Sequence, residues 1–490
     1  MIASAQARQN PAYRLSSPFY PSLPTPRAIL DTMKLLLSLV ILFSLASAKA
    51  PTIGAVHFSG TPHTTQATLF ALLELDSSAT FTAAYEDTLR HNLMYSYLFN
   101  AVHFTTAPLG KDTIALFIKV DEKPRWTLTD IGLGIFNRLY GEEKVWLHFN
   151  AAVTNKNFLG KGQTLKLYGG LWTSRYIGII WQIPLYKHDY LLTFNSRLGH
   201  YPSLSRNYNV EPAFEFGTTL GKYITKEALV EIGIMPSIRK YHEASDQLAY
   251  FEDETPFQLY TTLRGTFDYR NDRFNPHTGV FSRVTLFSNV LAPYHTPQGV
   301  KKAFLQSNIQ LRGFIPAGKH NQFALRSDLL ITPAGEHSFY EQIYMGGSAT
   351  LRGYGDNALG APVDSTPFYN STVFNNRFLA SAEFRFRIHA FKPINFKFLS
   401  WYHESMKAFP IELHGAVFID AGYLWKEIET MFDYSSGTYL TAGSAGVGLR
   451  ILFPSIDMKG GMDFGWPIKS PYPIAKPGVP VFHMFMGFPF

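Results

Sequence analysis

The stretch FLASAEFRFRI, residues 378–388, decides the fold class. From residue 380 onward the even positions are apolar, as are Phe378, Phe384 and Phe386, whereas the odd positions are polar, as is Glu383. Side chains of a β-strand point alternately to opposite faces, so the stretch predicts a strand with one apolar and one charged face. Such a strand suits a membrane barrel with lipid outside and water inside. It also suits a soluble sandwich that buries its apolar face.

The number of similar segments separates these two alternatives. They lie near residues 130–136, 145–153, 164–170, 175–185, 190–200, 211–221, 228–238, 257–270, 279–290, 303–314, 322–332, 411–424, 443–453, 457–466 and 481–490. With 378–388 they make about sixteen, an even number as in single-chain bacterial barrels, and each can cross a bilayer when tilted. We therefore predict a 16-stranded transmembrane antiparallel β-barrel over residues 126–490.

Composition agrees with a barrel wall. The chain has 41 Phe and 27 Tyr, yet its mean hydropathy is −0.04, so abundant apolar residues alternate with polar ones. After the N-terminal region, no segment approaches the roughly 20 continuous apolar residues that a membrane-spanning helix requires. Any spanning element must then be a closed barrel, because only helices and closed barrels pair every backbone group in lipid.

The N-terminal 48 residues have the pattern of an export signal. Residues 33–48 combine one lysine, about a dozen apolar residues and an Ala-Ser-Ala ending, which predicts a signal peptide cleaved after Ala48. This signal begins with its own methionine, Met33. Residues 1–32 are therefore interpreted as an upstream start artefact or a dispensable leader, outside the fold.

Charge and cysteine content exclude several classes of protein. The first 48 residues carry four basic residues and one acidic residue, so removing them lowers the formal net charge from +7 to +4. That small charge and the absence of a Lys/Arg block give no support to nucleic-acid binding. The chain has no cysteine, which excludes a disulfide framework and a lipid-modified cysteine.

Residues 51–124 predict a separate small domain with the order β-α-α-β-β. A strand through Ile53 and Phe58 precedes a helix capped by Thr64 or Thr65. A second helix capped by Thr82 places apolar residues every four positions along one buried face, namely Tyr85, Leu89, Leu93 and Tyr97. Segments 101–106 and 113–120, joined by a turn, predict an antiparallel hairpin.

This segment resembles the polypeptide-transport-associated (POTRA) domain of outer-membrane assembly and secretion proteins. The matching residues are Ile53, Val56, Phe58 and Gly60 in the first strand, Leu98, Phe99 and Val102 after the second helix, and the closing run Val120–Pro124. The resemblance implies a single POTRA domain. Without the resemblance, the pattern of residues 51–124 is also compatible with an unrelated small α+β domain.

Motifs in the barrel resemble those of the outer-membrane assembly-factor superfamily, which includes two-partner secretion transporters and bacterial surface antigens. The loop Tyr344–Tyr354 ends in the characteristic Arg352-Gly353-Tyr354. The resemblance implies that this loop folds back into the barrel and that its arginine pairs with an acidic residue of the inner wall. The expected wall partners are Phe418 and Asp420, which share parity and so face the lumen together.

Further matches extend the resemblance over essentially the whole mature chain. Residues 267–279 match the family's strand-turn-strand, with Asp268 and Arg270 facing the lumen by parity, and Gly446–Arg450 and Asp463–Gly465 match its last strands. The chain ends in spaced apolar residues and an aromatic terminus that resemble an outer-membrane targeting signal, namely Phe482, Met484, Gly487 and Phe490.

The resemblance implies insertion of outer-membrane proteins or translocation of polypeptides. The expected partners are the outer-membrane bilayer, extended or unfolded polypeptide clients, and periplasmic chaperones or accessory lipoproteins, with the N-terminal domain in the periplasm. Family members usually carry several POTRA domains, and a single one puts the essential assembly role in doubt. The alternative is a passive diffusion channel or structural surface antigen, in which lumen charges such as Glu383, Arg385 and Arg387 tune solute selectivity.

Catalytic and cofactor motifs are not found in the sequence. Ser444 lies in a Gly-rich stretch flanked by strands, whereas a nucleophilic serine of the elbow type needs a strand-turn-helix context. The 16 histidines show no metal-ligand spacing, and no phosphate-binding or dinucleotide-binding loop occurs. The sequence therefore predicts no enzyme, no metal and no cofactor.

Overall fold

A computed structural model describes residues 50–486, apart from 77–78, 138–144, 173–174, 203–207, 244–256, 296–300, 336–342, 356–357, 361–373, 400–403, 432–438, 457 and 470–477. The predicted signal peptide at 33–48, the segment 1–32, Gly487 and Phe490 lie outside these residues. Among the residues described, no helix is long and apolar enough to cross a membrane.

The N-terminal unit has the predicted order β-α-α-β-β. It consists of β1 (Thr52–Ser59), α1 (Gln66–Leu73), α2 (Ala83–Tyr95), β2 (Phe99–Pro108) and β3 (Thr113–Glu122). Its sheet has the order β1-β3-β2, with β1 parallel and β2 antiparallel to the central β3. The two helices cover one face of this sheet with a core of Ile53, Leu69, Leu73, Leu89, Leu93, Leu98, Phe99, Val102, Leu116, Ile118 and Val120.

Threonine caps fix where both helices begin. The Thr65 hydroxyl accepts a hydrogen bond from the Thr68 amide at 3.3 Å, and the Thr82 hydroxyl accepts one from the Tyr85 amide at 3.2 Å. Each cap satisfies an amide that has no partner within the first helical turn.

The prediction that Tyr97 continues the buried face of α2 is wrong. The helix ends at Tyr95, and Tyr97 lies beyond it in a left-handed backbone conformation, with φ of 59°. A side chain in this conformation leaves the helical path, so the four-residue spacing no longer predicts its direction. Tyr97 instead turns toward the barrel.

Sixteen strands form one sheet in chain order, as predicted. They are β4 (Thr127–Asn137), β5 (Val145–Phe158), β6 (Gln163–Trp172), β7 (Arg175–Leu185), β8 (Tyr190–Pro202), β9 (Tyr208–Tyr223), β10 (Ala228–Glu243), β11 (Phe257–Asp268), β12 (Gly279–Ala292), β13 (Phe304–Pro316), β14 (Asn321–Gly335), β15 (Asn376–Ala390), β16 (Glu412–Trp425), β17 (Tyr439–Phe453), β18 (Met458–Lys469) and β19 (Val481–Met486).

Every neighbouring pair along this sheet is antiparallel, and the first and last strands lie side by side, with Cα atoms within 8 Å. The sheet is therefore closed into a barrel. Short extra elements occupy the connections: the paired strands Tyr294–His295 and Lys301–Lys302, and the 3₁₀ turns Tyr186–His188, Lys397–Leu399, Glu404–Ala408, Ile428–Thr430 and Pro454–Ile456.

Burial along β16 shows which face of the wall meets lipid. Val417 and Ile419 are 50% and 54% exposed. Phe418 and Asp420, which alternate with them along the strand, are 3% and 2% exposed. A soluble sandwich buries its apolar face, and this strand does the reverse. The outer surface is apolar and the inner wall carries the charges, which is the arrangement of a transmembrane barrel.

The N-terminal unit rests on turns at one end of the barrel, which we call the domain end. In the β5–β6 turn, the carbonyl of Gly160 accepts hydrogen bonds from the Thr65 amide and the Thr68 hydroxyl, both at 3.0 Å. In the β9–β10 turn, Lys226 forms an ion pair with Glu74 at 2.7 Å, and its carbonyl accepts a hydrogen bond from Tyr95 at 3.2 Å.

A third contact comes from Arg273 in the β11–β12 turn. Its guanidinium lies 4.7 Å from the ring centre of Tyr95 and 5.1 Å from that of Tyr97, and it donates a hydrogen bond to the Tyr95 hydroxyl at 2.7 Å. Desolvation raises the pKa of Tyr97 to about 12, although the positive charge of Arg273 opposes this shift. Several turns of the barrel thus hold the N-terminal unit, including the 3₁₀ turn Tyr186–His188, which lies against α1.

Candidate functional site

The loop between β14 and β15 turns back into the barrel. Gly346 and Gly347 begin the turn with φ of 113° and 102°, a conformation that residues with side chains rarely adopt. The Gly347 amide donates to the carbonyl of Tyr354 at 3.0 Å, which closes the loop on itself. Leu351 and Tyr354 are buried in an apolar cluster together with Ile343, Met345, Leu359, Phe374, Leu379, Leu424, Leu440 and Ala442.

Arg352 stands at the tip of this loop and contacts the inner wall. Its Nε and Nη2 atoms donate to the two carboxylate oxygens of Asp420 at 3.0 and 2.7 Å, and its backbone amide donates to the same carboxylate at 3.2 Å. Ser381 and Ser444 also donate to Asp420, at 2.6 and 3.3 Å. Two parallel hydrogen bonds match the fork of a guanidinium to a carboxylate, a geometry that lysine cannot reproduce.

An aromatic ring supports the other side of the guanidinium. The Cζ atom of Arg352 lies 3.4 Å from the ring centre of Phe418, within the range of a cation–π contact. The Phe418 ring lies over Gly446 of β17, where any Cβ would overlap it. Phe418 and Asp420 therefore hold one guanidinium by its face and by its edge.

Two glycines allow the loop to approach the wall closely. A Cβ on Gly353 would lie 2.6 Å from Cβ of Ser444, and a Cβ on Gly465 would collide with the carbonyl oxygen of Arg352. That oxygen also lies 3.1 Å from Nε2 of His483 on β19. The loop backbone thus approaches β17 and β18 closely at Ser444 and Gly465, and it contacts β19 through His483.

Glu383 of β15 joins three arginines. One carboxylate oxygen accepts from Arg352 at 2.5 Å and from Arg450 at 3.2 Å, and the other accepts from Arg385 at 2.7 Å. Asp463 of β18 pairs with Arg450 at 2.6 Å and lies 3.5 Å from Arg352. We call the six residues Arg352, Glu383, Arg385, Asp420, Arg450 and Asp463 the lock cluster.

The lock cluster is electrically balanced and almost completely buried. Its three arginines face three carboxylates, and none of the six side chains is more than 5% exposed. A buried charge is tolerated when it is paired and hydrogen-bonded, and removing one partner leaves the other uncompensated. The pairing therefore ties the position of the loop to four neighbouring strands.

The structure brings together the loop and wall residues named from sequence. Arg352 contacts both Phe418 and Asp420, and the Tyr354 hydroxyl donates to the carbonyl of Gly443 at 3.2 Å. The terminal residues Phe482 and Met484 are separate from this cluster and stand exposed on the outer face of β19.

Sequence reasoning did not assign Glu383, Arg450 and Asp463 to the loop arginine. Parity alone places each of them on the inner face of its strand, but it does not give their height in the barrel. Asp268 and Arg270, also facing inward, form their own pair at 2.7 Å near the end of β11, outside the lock cluster. Ser444 lies in a strand, where it donates to Asp420.

Comparison with known proteins gives a family match. Residues 157–490 match the model of the Omp85 superfamily domain. No curated protein matches the chain at a significant level.

Several solved barrels resemble the chain in fold. The structure of BamA from Haemophilus ducreyi lacking POTRA domains 1–3 superimposes with a TM-score of 0.56 at 18% identity, covering 89% of this chain and 84% of that one. CdiB from Escherichia coli gives 0.57 at 11% identity, covering 89% and 76%, and CdiB from Acinetobacter baumannii gives 0.55 at 12%, covering 89% and 74%. At these identities the likeness concerns the fold.

Proposed function

The chain belongs to the Omp85 superfamily, and from that premise we propose that it inserts proteins into the outer membrane or translocates polypeptides across it. The observation that carries the proposal is the buried Arg352–Asp420 pair, which holds a loop inside a 16-stranded barrel. In this role the barrel lies in the bacterial outer membrane and the N-terminal unit lies in the periplasm. No nucleotide, metal or catalytic residue enters the proposed mechanism.

The N-terminal unit would receive the client. Its sheet ends in β2, which pairs with β3 on one side only among the described residues. An open sheet edge offers backbone donors and acceptors to any extended chain, so it can bind clients without a strict sequence requirement. We assign POTRA-like client capture to this edge.

The seam between β4 and β19 would deliver the client to the membrane. These strands lie side by side, yet in the described part of the chain no register of paired residues joins them. A strand entering lipid needs partners for its backbone groups, and a parted seam supplies two free edges. Among the described residues, separation at this seam would therefore break fewer backbone hydrogen bonds than separation between two strands that a register joins.

The lock cluster would keep the loop in place while β4 and β19 separate at the seam. Arg352 connects the loop to β15, β16 and β18, and the loop backbone reaches β19 through His483. This position next to the seam favours a structural role in strand opening over a wide diffusion channel, because a loop held in the lumen narrows the water path. We propose that periplasmic chaperones or accessory lipoproteins bring clients to the N-terminal unit.

Depletion of the protein tests this function. Profiling outer-membrane and secreted proteins after depletion should reveal the loss of specific clients. A change in small-solute uptake with an unchanged protein profile would instead indicate a passive channel.

Removal of residues 51–123 tests client capture. The remaining barrel should still fold, which is measured as faster migration of the unheated sample on a detergent gel, but clients should no longer accumulate. Normal client levels with the truncated chain would contradict capture by the N-terminal unit.

A further inference from the structure

A cavity of about 240 Å³ opens at the domain end of the lumen. Its wall is formed by the β11–β12 turn, the β13–β14 turn and the adjoining ends of β14, β15 and β16. The charged side chains around it are Lys319, Arg385, Arg387, Glu412 and three histidines, His277, His320 and His414. We call this cavity the vestibule.

Positive charge in the vestibule exceeds the negative charge available to neutralise it. Glu412 contacts His414 at 2.8 Å, and Arg385 contacts Glu383 of the lock cluster at 2.7 Å. Among the described residues, no carboxylate lies within 4.0 Å of the Lys319 or Arg387 charge. An excess of cations along a partly enclosed wall attracts anions, because the low-dielectric surroundings focus the field.

Two of the histidines lie close to these charges and to polar groups of the wall. His277 is held between Gln322 and the carbonyl of Gly318, each at 3.1 Å, and its Nε2 must donate because a carbonyl can only accept. Desolvation and the nearby charges of Arg387 and Lys319 lower the pKa of His320. An anion in the vestibule would relieve the repulsion among these groups.

The β11–β12 turn connects the N-terminal unit with the vestibule. The β11–β12 turn carries Arg273, which is held by Tyr95 and Tyr97, and the same turn supplies Asn275 and His277 to the vestibule wall. A chain passing from the N-terminal unit into the lumen along this turn meets the cationic wall next.

We propose that the vestibule binds carboxylate groups of an extended, acidic polypeptide segment, which it takes over from the N-terminal unit. This inference rests on the proposed function and adds a substrate preference to it. Side chains of β14, β15 and β16 reach the vestibule from the inner face of the wall, away from the lipid-facing surface, which favours a polypeptide over a lipid headgroup. Lys319 and Arg387 supply the charge, and the histidines supply further donors.

Binding of fluorescein-labelled hexaglutamate to the full-length protein in detergent micelles tests the proposal. Fluorescence anisotropy at low ionic strength should show saturable binding to the wild type. The double variant Lys319→Gln/Arg387→Gln should bind roughly tenfold more weakly, since two charge-assisted contacts are lost. The matched control Lys161→Gln/Lys187→Gln removes two exposed lysines from other turns at the same end and should change the dissociation constant by less than about twofold.

Three results would overturn the proposal. The first is that the wild type does not bind hexaglutamate. The second is that both double variants bind it equally more weakly than the wild type. The third is that the protein binds inorganic pyrophosphate saturably but not hexaglutamate, which would assign the vestibule to phosphate groups. Heat-dependent gel migration verifies that each variant is folded.

If hexaglutamate fails to bind while depletion of the protein still removes clients, only the vestibule inference fails. Unchanged client levels on depletion would count against the proposed function itself.

Discussion

The lock cluster and the vestibule both collect positive charge on the inner wall, but only in the lock cluster does every cation pair with a carboxylate of the described residues. Arg352 and Arg450 are almost fully buried, and each contacts at least one carboxylate at 2.7 Å or less. Lys319 and Arg387 border open space and have no carboxylate within 4.0 Å in the described part of the chain.

This difference separates a structural use of charge from a binding use. A buried network must be complete, because each uncompensated member costs several kcal/mol, on the order of 3 to 5. A solvated cation costs little when unpaired and stays available for a ligand. Arg385 belongs to both regions, since it lines the vestibule and pairs with Glu383.

The largest expected effect follows from removing the loop arginine. Arg352→Ala should lower the free energy of unfolding by about 3 to 5 kcal/mol, because Asp420 and Glu383 then lose a buried partner. Urea unfolding in lipid vesicles measures the change.

Asp420→Ala should lower the free energy of unfolding by a similar amount, and the double variant should be less than additively destabilised. Arg352→Lys should retain only part of the stability, since lysine keeps the charge without the fork. If both single variants were as stable as the wild type, the charges of the lock cluster would have no larger structural role than those of the vestibule.

Gly465→Ala tests whether close backbone approach holds the loop, without altering any charge. The added Cβ would collide with the carbonyl oxygen of Arg352, so we expect a loss of about 1 to 3 kcal/mol. Gly313→Ala is the control, because nothing lies within 4 Å of a Cβ at that position. Both variants are compared by the temperature at which the folded band disappears from a detergent gel. Equal shifts for the two would mean that the contact with Gly465 does not position the loop.

Arg273→Ala should have an intermediate effect, since this side chain is 42% exposed yet pairs with Asp268 and two tyrosines. An exposed cation–π contact contributes about 0.5 to 1 kcal/mol. We expect faster proteolysis of the N-terminal unit with an unchanged barrel. Lys111→Ala, an exposed lysine in the β2–β3 turn, is the control. Protection equal to that of the wild type would show that the contacts from the other turns suffice to hold the unit.

The smallest stability effect is expected for Lys319→Gln/Arg387→Gln. Because neither cation pairs with a carboxylate of the described residues, the free energy of unfolding should change by less than about 0.5 kcal/mol. Urea unfolding under the conditions used for Arg352→Ala gives a direct comparison. A loss of several kcal/mol would mean that the vestibule cations have a structural role like those of the lock cluster.

Much of the fold was predictable from local patterns. Two-residue alternation gave the strands and their inward faces, and threonine caps with helical spacing gave α1 and α2. Tyr97 was mispredicted because a single left-handed residue ends the periodicity on which the prediction depended. The contacts of Arg273 with Tyr95 and Tyr97 could not be predicted, because these residues lie far apart along the chain and have no shared pattern.

The sequence by itself determined a barrel wall with charged residues inside, and it marked Arg352, Phe418 and Asp420 through motif and parity. Only the tertiary structure decided that Glu383 would join three arginines and that no carboxylate of the described residues would lie within 4.0 Å of the Lys319 or Arg387 charge. The physical reason is that strand parity fixes the face of the sheet a side chain occupies. Its height and its neighbours depend on the register between strands and on the path of the returning loop. Register and loop path are properties of the closed barrel, which brings charged residues that are distant in sequence into contact.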